Sequence, residues 1–124
     1  MKTLVITGGT DGIGRELART HLTRGDTVVV IGRDPAKAAT LPDAPGRAHF
    51  IPADLALLAE NRRVLDHLAA QFPVVDALVL CARHYRWRRT ETAEGLEENL
   101  ALFYLSRHLF SHGLAGQLRR APRP

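Results

Sequence analysis

A glycine-rich turn constrains this chain more than any other feature. Thr7-Gly8-Gly9-Thr10-Asp11-Gly12-Ile13-Gly14 follows the apolar run Thr3 to Thr7 and precedes a stretch with helical spacing of its apolar residues. Gly8 permits a tight turn out of a strand. Gly12 lets backbone approach a ligand with no Cβ in the way, and Gly14 allows close packing of the helix that follows. The start of that helix presents unpartnered N–H groups and a partial positive charge to an anion. The setting, strand before and helix after, carries more weight than the glycines alone.

The rest of the chain alternates strands and helices. Ile13, Leu17, Ala18 and Leu22 share one face of a helix predicted from Gly12 to Arg24, and Gly25-Asp26 closes it. Thr27 to Ile31 is a β-branched strand. Pro35 to Thr40 predicts a short helix or turn, Leu41 to Gly46 a loop, and Ala48 to Ile51 a third strand. A second long helix is expected from Ala56 to Phe72, with Leu58, Val64, Leu65, Leu68 and Phe72 inward and Pro73 stopping it. Val74 to Cys81 is the fourth strand and Arg83 to Thr92 a polar, aromatic loop. A last helix is expected from Ala93 to His112, with regular structure ending near Gly113, Gly116, Pro122 and Pro124. Continuous apolar strands alternating with helices predict an α/β fold: a parallel sheet covered on both faces. Right-handed crossovers then favour the strand order 3-2-1-4, a Rossmann-type doubly wound sheet truncated at about four strands.

The 124 residues, 45% of them hydrophobic, suffice for one domain over residues 1–124. No apolar run reaches the roughly 18 residues of a membrane span. The N-terminus enters Leu4-Val5-Ile6 directly, without a basic leader, so a cytoplasmic setting is expected. Cys81 is the only cysteine, which excludes an internal disulfide and a cysteine metal cluster. The net charge of +4 gathers in Arg83, Arg86, Arg88 and Arg89 and in Arg119, Arg120 and Arg123. A basic surface suits nucleic acid as well as a phosphorylated cofactor. No helix-turn-helix, finger or stacking motif accompanies it here, which leaves nucleic acid the distant alternative.

The sequence Thr7-Gly8-x-x-x-Gly12-Ile13-Gly14 resembles the cofactor motif of the short-chain dehydrogenase/reductases, and the similarity extends over essentially the whole chain, about the first half of a usual member. The resemblance implies a dinucleotide gripped by Thr7, Gly8, Thr10, Asp11, Gly12, Ile13 and Gly14. Asp54-Leu55 resembles the pair that contacts the adenine ring, and Cys81 and Ala82, at the end of the fourth strand, complete the implied contacts. Thr92 to Glu97 and Tyr104 to Arg107 resemble the approach to the family's fourth long helix and its continuation. The family chemistry is hydride transfer between the cofactor and a carbonyl or alcohol substrate.

The second strand ends Val30-Ile31-Gly32-Arg33-Asp34. The resemblance puts Gly32 where NAD-dependent members carry an acid, and Arg33 offers a permanently charged fork to a ribose 2′-phosphate. NADP is therefore the expected cofactor. NAD is the alternative, with Asp34 turned inward; a surface pair of Arg33 and Asp34 is the bland reading, and Asp11 in the turn weakens the NADP preference.

Other family features do not match. No Tyr-x-x-x-Lys occurs: Tyr85 and Tyr104 have no lysine four residues on, and Lys2 and Lys37 both lie early. The strand expected to end in the catalytic serine would begin where the chain stops, at Pro124. The Asn-Asn-Ala-Gly segment aligns with Leu80-Cys81-Ala82-Arg83, and counting from Gly95 puts Phe103 at the usual helix asparagine, one turn from Asn99. No catalytic residue is therefore assigned. The expected outcomes are a dinucleotide-binding module or truncated pseudo-enzyme, or an oxidoreductase assembled as an oligomer or with a complementing chain at the exposed fourth strand.

Three smaller features have competing readings. Arg83-His84-Tyr85-Arg86-Trp87-Arg88-Arg89 reads as a stacking surface, a loop closing the cofactor site, or a solvated loop with Trp87 packed underneath. His108 and His112 have a metal-compatible spacing but no third ligand, so a helix surface is expected. Cys81 reads as core, with a reactive thiol as the alternative.

Overall fold

The computed structural model describes residues 1–122. Four strands form one parallel sheet in the order β3-β2-β1-β4: β1 Thr3–Thr7, β2 Thr27–Gly32, β3 Ala48–Pro52 and β4 Ala77–Leu80. This is the order read from the sequence. β1 pairs with β2 from Thr3 opposite Thr27 to Thr7 opposite Ile31, and with β4 from Leu4 opposite Ala77 to Thr7 opposite Leu80.

Strand residues alternate between two cores. Val5, Val29 and Ile31 face one side, where they pack with Val64 and Leu68 of α3 (Leu58–Gln71) and Phe110 of α5 (Arg107–Gly113). Leu4, Ile6, Val28 and Val30 face the other, against Ala18 and Leu22 of α1 (Gly12–Thr23). Each such fully buried aliphatic side chain contributes about 1.5–3 kcal/mol. Because both faces are covered, β1 and β2 read as unbroken apolar runs. The short α2 (Pro35–Ala38) follows β2, capped by the Asp34 carboxylate, which accepts the Ala36 N–H at 2.9 Å.

Several expected boundaries move. Ile13 is not on the buried face of α1: it sits in the first turn, 83% exposed, beside the glycine turn. The second long helix starts at Leu58 rather than Ala56, because Asp54 folds the chain into a turn by accepting the Ala56 N–H. β4 starts at Ala77, not Val74. The last helix starts at Glu98, not Ala93, because Gly95 adopts a left-handed conformation (φ 78°) and Thr92 to Glu97 form a loop.

That loop caps two helices. The Glu94 carboxylate accepts the N–H groups of Leu58 and Ala59 at the start of α3, and Glu97 accepts those of Asn99 and Leu100 at the start of α4 (Glu98–Leu100). From α4 the chain runs through a π-helical stretch, Ala101–Ser106, into α5. Regular structure does not end at Gly113. A further helix, α6 (Ala115–Arg120), follows because Leu114 is buried and Gln117 is tied to the Phe72 carbonyl at 3.2 Å. Arg123 and Pro124 lie outside the described residues.

Candidate functional site

A cleft of about 910 Å³ opens at the carboxyl ends of the strands. In doubly wound sheets that is where ligands bind, and its size suits one small-molecule ligand. Gly8, Thr10, Asp11, Gly12, Ile13 and Gly14 line its floor. Arg33, Asp34, Asp54 and Leu55 line the β2–β3 side, and Cys81 and Ala82 the β4 side. Thr7 alone among the predicted contacts stands behind the wall. Its Oγ1 accepts the Ala82 N–H at 3.3 Å and its carbonyl the Cys81 N–H at 2.9 Å, so it joins the ends of β1 and β4.

The glycines divide the work differently from the expectation. A Cβ on Gly8 would lie 2.5 Å from the Ala82 nitrogen, so Gly8 fixes the contact with β4. A Cβ on Gly14 would collide with the Gly8 carbonyl, which closes the turn on itself rather than on the sheet. Gly12 (φ 53°) has nothing within 4 Å of its Cβ position: it faces open cleft. Gly9 is required too, since its Cβ would meet Val30 Cγ1 at 2.8 Å. A Cβ on Gly32 would lie 2.8 Å from Thr10 Oγ1 and 3.0 Å from Thr10 Cγ2.

Asp11 caps α1 by accepting the Gly12 N–H at 2.8 Å. By helix geometry the amides of Ile13 and Gly14 still lack intrahelical partners and point out of the first turn. The other Asp11 oxygen accepts from Lys37 Nζ at 2.8 Å. The Lys37 ammonium, then the Gly12 amide, hold the Asp11 carboxyl below the usual carboxylate range. Arg33 makes no ion pair or side-chain hydrogen bond among the described residues, and Asp34 is engaged as the α2 cap instead of pairing with it.

The β4 side of the cleft adds His84, from the basic and aromatic loop, and two residues, Glu98 and Leu102, that the sequence reading passed over. His84 Nε2 is shut off from solvent without a hydrogen-bond partner among the described residues. The Glu98 carboxylate is largely buried and pairs with Arg86 Nε at 3.3 Å. Phe103, which counting put at the family's asparagine, is not on the cleft; it packs under the Arg107 guanidinium, 5.4 Å from its centroid. Phe103 lies in the π-helical stretch, whose wider turn sets which side chains reach the cleft.

Trp87 is not packed beneath its loop. It is 93% exposed and meets Tyr85 edge to face at 6.1 Å. His108 and His112 face solvent with ring centroids 4.4 Å apart, and no group of three metal-ligating side chains occurs among the described residues. Cys81 is half-buried on the cleft wall. Among the described residues, no helix is long and apolar enough to cross a membrane.

A parallel sheet with a glycine turn and an open helix N-terminus at its carboxyl edge defines a nucleotide-binding module of the doubly wound class. The sequence pattern of short chain dehydrogenases matches residues 2–102, and the chain belongs to that family. It is 34% identical over 121 residues to mouse polyprenol dehydrogenase, covering 93% of this chain and 36% of that protein. It is 32% identical over 122 residues to the Streptomyces sp. (strain C5) protein described as "Putative daunorubicin C-13 ketoreductase DnrU", covering 94% and 42%. The Pseudomonas aeruginosa RhlG/NADP active-site complex superposes with a TM-score of 0.76 at 28% identity, over 98% of this chain and 50% of that one. The chain thus spans about two-fifths of these sequence relatives and half of that structure.

Proposed function

We propose that these residues form an NADP(H)-binding half-site for carbonyl–alcohol hydride transfer. One observation carries the reading: Arg33 lies free on the cleft at the end of β2, while Asp34, the carboxylate that would favour NAD, also lines the cleft but is engaged as the cap of α2. The RhlG structure, an NADP complex, supports it by likeness.

The residues present fit the dinucleotide. The cradle at Gly12 is open where a Cβ would intrude, and the Ile13 and Gly14 amides face it to receive a pyrophosphate. Asp54 and Leu55 wall the adenine side; Ala82 and Leu102 wall the other. When bound, the cofactor supplies the hydride. This chain's residues bind and orient it, and Ala82 and Leu102 exclude water where they meet it. Proton transfer to the substrate needs an acid/base within reach, and the family's Tyr-x-x-x-Lys pattern is not among these residues. The chain by itself is therefore a binding module, and turnover requires groups supplied from beyond it.

Energy transfer from Trp87 to NADPH tests the binding. A saturable signal, tighter for NADPH than for NADH, is expected; no saturation up to millimolar cofactor would refute the reading.

A further inference from the structure

Seven consecutive residues after β4, Arg83-His84-Tyr85-Arg86-Trp87-Arg88-Arg89, include four arginines and no acid. Both ends of this loop are tied down. Before it, the Ala82 N–H donates to Thr7 Oγ1. After it, the Glu98 N–H donates to the Thr90 carbonyl at 2.8 Å, next to an antiparallel bridge between Glu91 and Glu97. Between these ties the chain bends at Trp87 and Arg88, and Thr90 Oγ1 donates to the Arg88 carbonyl at 3.1 Å. Trp87, at the bend, belongs to neither core and is bare to solvent, and Tyr85 beside it is 62% exposed. Neighbouring acids answer only part of the charge. Glu98 pairs with Arg86 and Glu91 with Arg89 at 3.7 Å, while Arg83 and Arg88 make no ion pair among the described residues.

We propose that this loop is a docking surface for an anionic lipid bilayer. Indole and phenol rings partition to the level of lipid headgroups, with the apolar body inward and the polar tip wet. Arginines on either side of such a ring reach headgroup phosphates, and a negatively charged leaflet attracts each of them. Ring insertion and charge act together here, because either alone holds a protein to a membrane only weakly. Single-stranded nucleic acid fits less well. Its successive bases stack on ring faces, whereas Tyr85 and Trp87 stand edge to face with their planes 76° apart. Arg83 and His84 line the cleft itself, so docking brings the β4 side of the cleft to the bilayer.

Trp87 is the only tryptophan, so its fluorescence reports on this loop alone. The full chain is titrated with vesicles of phosphatidylcholine, with and without phosphatidylserine. With phosphatidylserine the emission should shift to the blue and saturate, and lipid brominated on its acyl chains should quench it. Neutral vesicles should give far less. Sedimentation with the anionic vesicles then measures the variants. Replacing Arg88→Gln and Arg89→Gln together should weaken binding by about fivefold per charge removed. Trp87→Ala should weaken it by about tenfold. Thermal melts should match wild type, because these side chains are exposed. Raised salt should release the protein. No blue shift on anionic vesicles overturns the proposal, as does an equal shift on neutral ones or binding that the variants leave unchanged. A saturable shift with a single-stranded oligonucleotide and none with vesicles would assign the loop to nucleic acid and overturn it as well.

Discussion

Asn99 holds the backbone of Arg86 from both sides. Its Oδ1 accepts the Arg86 N–H at 3.1 Å, and its Nδ2 donates to the Arg86 carbonyl at 3.1 Å. One side-chain amide thus does what a neighbouring strand would do, and Glu98 adds a grip on the Arg86 guanidinium. The basic, aromatic loop is therefore fastened to the start of α4 at its middle, beside the cleft.

Asn99→Ala should release that loop. Two hydrogen bonds at an exposed site contribute only about 1 kcal/mol, so the melt should shift little. Trypsin cleavage after Arg83, Arg86, Arg88 and Arg89 should accelerate well beyond the global effect. Equal cleavage rates in wild type and variant would show the loop held elsewhere.

The cleft wall at Leu55 hangs on a buried polar chain. Ser106 Oγ donates to Asn61 Oδ1 at 2.6 Å, and Asn61 Nδ2 donates to the carbonyls of Leu55 and Leu57 at 2.8 Å each. Ser106→Ala orphans one acceptor and should lower urea stability by about 1–3 kcal/mol. Asn61→Leu takes the partner from the Ser106 hydroxyl and from the Leu55 carbonyl, while the Leu57 carbonyl keeps the backbone N–H of residue 61. It should destabilise more and, unlike a core lesion remote from the cleft, weaken adenine-nucleotide binding in the fraction that remains folded.

Gly12 and Gly14 should fail differently on substitution by alanine. Gly14→Ala drives a methyl into the Gly8 carbonyl and should unfold the turn, lowering the melting temperature and abolishing binding together. Gly12→Ala meets no protein atom and costs only the left-handed strain, about 1–2 kcal/mol. Its folded form should nonetheless bind cofactor poorly, because the methyl occupies the open cradle.

Asp26 gives the stability a pH dependence. Its carboxylate takes a hydrogen bond from His21 at 2.7 Å and one from the Lys2 amide at 2.9 Å, and these hold its pKa below the usual carboxylate value, the His21 bond most of all. A folded pKa depressed in this way adds stability above the unfolded carboxylate pKa near 4, and that stability is lost as pH falls through the folded value. Asp26→Asn should therefore destabilise by about 1 kcal/mol at pH 7 and progressively less below pH 4, as followed by urea titration at each pH.

The sheet was legible because burial on both faces writes itself into continuous apolar runs, and the glycine turn because backbone geometry there admits little else. Long-range polar contacts leave no such mark. Nothing local announces that Glu94 caps a helix 35 residues upstream, or that Lys37 reaches Asp11. Ile13 fits the apolar face by spacing, yet a first-turn residue beside the glycine turn has no core to face. Leu102 lines the cleft and Phe103 does not, in a π-helical stretch whose period the residue types do not encode. Of the three readings of the basic, aromatic loop, the one that packs Trp87 underneath does not hold: hydrophobicity says nothing about whether a loop has anything beneath it.

The contact between Gly32 and Thr10 couples two positions that lie 22 residues apart in sequence. Any side chain at position 32 would place its Cβ 2.8 Å from Thr10 Oγ1 in a wall where Thr10 is itself buried. A replacement at 32 therefore calls for a smaller or displaced residue at 10, and the two should be exchanged together. The cleft wall at the end of β2 is tuned by packing as much as by charge.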